Sequence, residues 1–194
     1  MICVSSDPYP QNVALCGDSQ STLRLLHYHS VEGKELGDNF WRAGSHADFD
    51  LLTLLFQRDG ERGLGVCPGR EVVGDFGHGN TWKNAKARSD RIVCNIGNQL
   101  MQWSDPRLKP TFHRVRLPKE GEPKGSRYSI VFFNQSRSNI VIQGPENKYQ
   151  PITGATFIKQ ALERNKLGVA ARTSPSKSIV QESATAGAAP VAIN

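Results

Sequence analysis

Short apolar runs, each cut off by turn residues, constrain this chain more than any other feature. They are Leu23–Tyr28, Leu51–Gln57, Leu64–Cys67, Arg91–Ile96, Phe112–Leu117, Tyr128–Phe133 and Asn139–Gln143. Between them stand Gly33, Gly60, Gly63, Pro68-Gly69, Gly77-His78-Gly79-Asn80, Gly97-Asn98 and Pro118–Gly121. Runs of this length and composition with Gly/Pro punctuation predict a mainly β domain, a sandwich or barrel. One helix is predicted near the end: Thr153 or a neighbour caps it, Phe157, Ile158, Ala161 and Leu162 recur at helical spacing, and Gly168 stops it. The 194 residues suit one domain. Residues 1–20 read as a lead-in loop and 21–170 as the domain. Residues 171–194 carry almost no bulky side chains, too few to offset their ordering entropy, so a disordered tail is expected.

Several classes of function fall away. The longest apolar runs, such as Ile130–Phe133, are far short of the roughly 18 residues a membrane span needs. The first residues lack a basic region followed by an apolar block, so a soluble, cytoplasmic protein without a membrane partner is expected. A net charge of +6 raises the question of nucleic acid. The basic residues are scattered and interrupted by acids, and no zinc-finger or RNA-binding motif is present, so no nucleic-acid partner is expected. Cys3, Cys16, Cys67 and Cys94 form no Cys-x-x-Cys pair and read as reduced thiols, with Cys94 in the core. Residues 68–90 make a long connection, suited to a lid.

Chemistry concentrates in Ser45-His46-Ala47-Asp48-Phe49. In an extended segment His46 and Asp48 point to one side and can grip one face of a metal ion. His113, at the start of a later predicted strand, is the candidate third ligand. Two His and one carboxylate form the facial triad of non-haem Fe(II) oxygenases, although the same donors suit zinc. On the next strand Arg127 and Ser129 share a face, and a guanidinium beside a hydroxyl makes a clamp for a carboxylate. A metal triad with a carboxylate clamp meets the needs of 2-oxoglutarate.

The order His-x-Asp, distant His, Arg-x-Ser resembles the isopenicillin N synthase-like branch of the 2-oxoglutarate and Fe(II)-dependent dioxygenases. Thr22–Tyr28 resembles that family's first core strand, and Ser45–Gln57 its metal strand. Cys94–Ser104 resembles the segment leading to the distal His. Arg127–Phe133 resembles the clamp strand, and Tyr149–Gly154 the lead-in to the last helix. The resemblance implies a double-stranded β-helix (jelly roll), Fe(II) on His46, Asp48 and His113, and 2-oxoglutarate on Arg127 and Ser129, with Tyr28 as a further contact. It implies O₂-driven hydroxylation or desaturation of a small organic substrate, such as a specialised metabolite or nucleobase, with succinate and CO₂ as co-products. Two alternatives stand beside it: an iron oxidase that closes rings without 2-oxoglutarate, and a truncated, non-catalytic binding protein of the same fold. Only about 20 residues precede the first core strand, where the family carries a helical region, so exposed sheet surface covered by a partner or a second copy is expected. His27, His29 and His78 are read as surface or packing residues, and Phe49, Phe56, Phe132 and Phe133 as core, with Phe49 also a pocket residue. Trp103 is read as packing, and Asp50 as a competing ligand.

Overall fold

A computed structural model describes residues 18–173 except 38–39, 69–71 and 74–76. Eight strands divide between two antiparallel sheets. β1 (Thr22–Tyr28), β3 (Leu52–Gln57), β8 (Ile92–Ile96) and β10 (Arg127–Asn134) build one, in the order β1-β10-β3-β8. β2 (Trp41–His46), β4 (Leu64–Val66), β7 (Lys83–Asn84) and β9 (His113–Arg116) build the other, in the order β2-β9-β4-β7. This is the expected jelly roll. Two small pairs complete it, β5 (Val72–Val73) with β6 (Gly77–His78), and β11 (Val141–Ile142) with β12 (Ile152–Thr153). The seven apolar runs all contain strand, with ends moved by one or two residues as strand boundaries commonly are. β2 has no apolar alternation, and the other unpredicted strands are two residues long, too short for a period to register.

Period-2 alternation gives the first sheet two unlike faces. In β10, Arg127, Ser129 and Val131 are buried while Tyr128 and Ile130 are exposed. Leu25, Ile130, Phe56 and Ile92 are register partners across four strands and form an exposed apolar row, Leu25 at 76%. Two expectations fail on this face. Cys94 and Phe56 were read as core, but alternation turns Val93, Asn95, Leu55 and Gln57 inward and these two outward. Cys67 is the buried thiol, packed on Phe112 with Ala47 and Trp82 beside them.

Two helices border the sheets. α1 (Asn98–Trp103) is not among the predicted elements; it starts directly after the predicted Gly97-Asn98 turn begins, and six residues carry too little periodicity to show. α2 (Gly154–Thr173) is the predicted helix. Thr153 Oγ1 accepts the Thr156 N–H, as a cap should, and Phe157 and Ala161 are buried. The helix continues through Gly168 to Thr173. A glycine inside a helix costs only about 1 kcal/mol, and the residues after it, Val169-Ala170-Ala171, carry no comparable penalty, so Gly168 does not end it. Residues 171–173, expected in the tail that begins at 171, are the last of this helix, and residues 174–194 and 1–17 lie outside the described residues. The described part of 68–90 lines neither cavity at the triad, so it gives no support to a lid. Among the described residues no helix is long and apolar enough to cross a membrane.

Candidate active site

β-Pairing places the chemistry. His46, the last residue of β2, and His113, the first of β9, are register partners. Their ring centroids are 4.3 Å apart. The chain then leaves β2, and Asp48 sits in an irregular segment before β3. Strand alternation therefore does not bring Asp48 to His46, contrary to the sequence argument. What holds Asp48 is the start of α1. Asn98 N–H donates to the Asp48 carbonyl at 2.8 Å, Gln99 N–H to the Asp50 carbonyl at 3.1 Å, and Gly97 N–H to the Leu51 carbonyl at 3.1 Å. Helix-start N–H groups lack partners within the helix, so these carbonyls complete them and fix the loop. Any Cβ at position 97 would collide with Asp50, so only glycine permits this approach.

The donor set fits a metal ion. One ligand atom from each of His46, Asp48 and His113 lies within 4.8 Å of the others. Asp48 Oδ1 is 3.7 Å from His46 Nε2, and Oδ2 is 3.6 Å from His113 Nε2. An ion about 2.1 Å from each donor can bridge atoms up to about 4.2 Å apart. The tautomers also fit. His46 Nδ1 is 2.8 Å from the Gly44 carbonyl and His113 Nδ1 is 3.1 Å from the Thr111 carbonyl. A carbonyl only accepts, so each Nδ1 carries hydrogen and each neutral ring offers an Nε2 lone pair. Burial pushes the His113 imidazole below its usual range, against the pull of Asp48, and keeps it in the ligating form.

Three residues that the sequence reading passed over support the site, two of them at Asp48 and one at Arg127. Asn95 Nδ2 donates to Asp48 Oδ2 at 2.9 Å. Thr53 Oγ1 lies 2.6 Å from Asp48 Oδ2 and 2.8 Å from Asp50 Oδ2. Its single proton serves one carboxylate at a time. Burial lifts the fully buried Asp50 to about 7; its protonated form donates to the hydroxyl and leaves Thr53 donating to Asp48. Asp50 is thus a support and does not join the three-residue cluster. The third is Gln57. The signal for all three was a polar side chain at an inward position of an apolar strand.

Arg127 pairs in register with Tyr28, and Ser129 with Gln57. Arg127 is 1% exposed. Its Nη2 donates to Gln57 Oε1 at 2.6 Å and Nη1 to Ser129 Oγ at 3.5 Å, while Nε has no partner. Its guanidinium lies 5.1 Å from the Tyr28 ring centroid. No carboxylate of the described residues is within ion-pair distance of it. Burial lowers its pKa, with partial compensation from Tyr28 and Glu61. A buried cation without an anion is costly unless an anion arrives. Tyr28, His46, Asp48, His113, Arg127 and Ser129 all line one cavity between the sheets. The aromatic readings divide: Phe49 and Phe133 line an adjoining cavity, and His27 stacks on Tyr128 away from the triad.

Comparison with known proteins agrees with this geometry. The chain is 32% identical over 157 residues to a 2-oxoglutarate-Fe(II) type oxidoreductase of Metarhizium majus, covering 76% of this chain and 43% of that one. It is 35% identical over 132 residues to a proline hydroxylase of Petromyces alliaceus, covering 66% and 39%. A full-length Neurospora crassa protein, solved with alpha-KG, superposes with TM-score 0.64 at 31% identity, covering 75% of this chain and 44% of that one. The same Neurospora protein has been solved with alpha-KG and thymine. The chain spans about two fifths of the length of the curated relatives it matches. The profile of the 2OG-Fe(II) oxygenase superfamily matches residues 19–136, which contain the triad and the clamp, and the chain belongs to that superfamily.

Proposed function

We propose that this chain is the catalytic core of a non-haem Fe(II)- and 2-oxoglutarate-dependent dioxygenase that hydroxylates or desaturates a small organic molecule, with succinate and CO₂ as co-products. One observation carries the reading: Arg127, a buried cation without a carboxylate partner among the described residues, faces the same cavity as two Nε2 lone pairs and the Asp48 carboxylate. His46, Asp48 and His113 would hold the metal on one face and leave the opposite positions to ligands. Arg127 and Ser129 would bind the distal carboxylate of the keto acid, with Tyr28 beside them. When bound, Fe(II) supplies O₂ activation coupled to oxidation of the keto acid. Thr53 and Asn95 orient Asp48, Gln57 orients Arg127, and the apolar walls from Leu55, Val93 and Val131 keep water from the reacting centre. The exposed row of Leu25, Ile130, Phe56 and Ile92 supports the expectation that a further segment or partner covers the outer face.

Oxygen uptake by the Fe(II)-loaded protein tests this. Uptake that requires 2-oxoglutarate, yields succinate and is abolished by His46→Ala, Asp48→Ala or His113→Ala is expected. Uptake indifferent to 2-oxoglutarate would assign the Arg127 clamp to a substrate carboxylate, as in an iron oxidase. No uptake and no metal binding would leave a binding protein.

A further inference from the structure

A second, wider cavity of about 430 Å³ shares His46 and Asp48 with the inner one. Its apolar wall is Phe49, Phe133, Ile158 and Leu162, the last two from α2. The inward face of β1 serves both cavities. Tyr28 and Leu26 line the inner one, and Arg24 and Thr22 the outer. Four residues of strand separate the Arg24 and Tyr28 backbones by about 13 Å. The Arg24 guanidinium lies 5.4 Å from the Phe133 ring centroid. Among the described residues no carboxylate is paired with it. A guanidinium stacked on a ring uses its face and leaves its N–H edge for a planar, two-oxygen acceptor. Among the described residues no acid lines the outer cavity except Asp48 at the triad.

We propose that the outer cavity takes the molecule to be oxidised as an organic carboxylate. Arg24 holds the carboxylate, and the carbon skeleton lies along Phe49, Phe133, Ile158 and Leu162. A single charged anchor at one end and an apolar wall along the other fix which C–H group reaches His46 and Asp48. This inference rests on the dioxygenase reading of the inner cavity and names the substrate class for it.

The test uses matched probes: 3-phenylpropionate, hexanoate and their neutral amides, titrated calorimetrically into protein loaded with Mn(II) and 2-oxoglutarate. Binding of Mn(II) and 2-oxoglutarate is measured first, and its failure would sink the dioxygenase reading. With that binding in place, each acid is expected to bind about tenfold or more tightly than its amide, since a charge-assisted contact replaces a neutral one. Arg24→Gln should erase the difference, Arg24→Lys should restore part of it, and Leu162→Ala should weaken acid and amide alike. Arg24 and Leu162 are exposed, so these variants retain the fold. Equal binding of acid and amide, a preference that survives Arg24→Gln, or no acid bound at roughly 10 mM would overturn the proposal.

Discussion

Replacing Arg127 with Met removes the cation on which the keto-acid site turns, and the structure sets opposing contributions to stability. The variant loses the 2.6 Å bond to Gln57 and the 3.5 Å bond to Ser129. A hydrogen bond to a charged group contributes about 1.5–3 kcal/mol, and a Gln57 oxygen left without its donor costs about 1–2 kcal/mol more. Against this stands relief from burying a guanidinium that has no anionic partner among the described residues and an unpartnered Nε, a penalty of several kcal/mol. Met preserves length and fills the space, so the ligand-free variant should unfold within about 2 kcal/mol of wild type. The ligand response should differ sharply. Removing the buried partner of a ligand carboxylate costs about 2–5 kcal/mol, at least about 30-fold in affinity. Urea unfolding followed by tryptophan fluorescence, in Mn(II) with and without 2-oxoglutarate, reads both quantities. In wild type, 2-oxoglutarate at about 100 times its dissociation constant should add about 2.7 kcal/mol, and in the variant, at the same concentration, that gain should fall to about 0.9 kcal/mol or less. A loss above about 4 kcal/mol without ligand would show Arg127 to be a structural keystone. An undiminished response to 2-oxoglutarate would place the keto acid elsewhere.

Thr53→Val keeps shape and deletes the hydroxyl between Asp48 and Asp50, both buried. Stability should fall by about 2–3 kcal/mol and Mn(II) affinity by about 10- to 100-fold, read by unfolding and by metal titration. Unchanged metal affinity would remove Thr53 from the support of the ligand. Glu122 makes two close bonds to the Arg116 guanidinium, which holds its carboxyl down at about 2 instead of 4.5. A depressed folded-state pKa stabilises above the unfolded value and is lost as pH falls through the folded one. Glu122→Gln should therefore cost about 1 kcal/mol at neutral pH, for a pair that is partly exposed. The gap from wild type should close between pH 4.5 and about 2 in parallel thermal melts. A gap that widens in acid would refute the pairing.

Local chemistry made much of this molecule legible before any coordinates. The β-rich runs survive as strands because alternation and turn residues are local properties. His46, Asp48, His113, Arg127 and Ser129 converge as their residue types suggested. What stayed hidden depends on contacts between distant segments. Asp48 reaches its place through the start of α1, which donates to carbonyls some fifty residues earlier in the chain, and six helical residues announce themselves weakly. Cys94 and Phe56 misled because an apolar residue on a strand looks alike on either face until register is known. Gln57, Thr53 and Asn95 were visible as polar residues inside apolar strands, but their partners were not.

In the proposed function, three side chains and one cationic clamp hold a single metal–keto acid chelate. Anaerobic addition of Fe(II) and then 2-oxoglutarate, followed by visible absorption, tests it directly. A weak charge-transfer band that needs both additions, and that is absent in His113→Ala, is predicted. A folded wild-type protein that gives no band with both present would refute the proposed chelate.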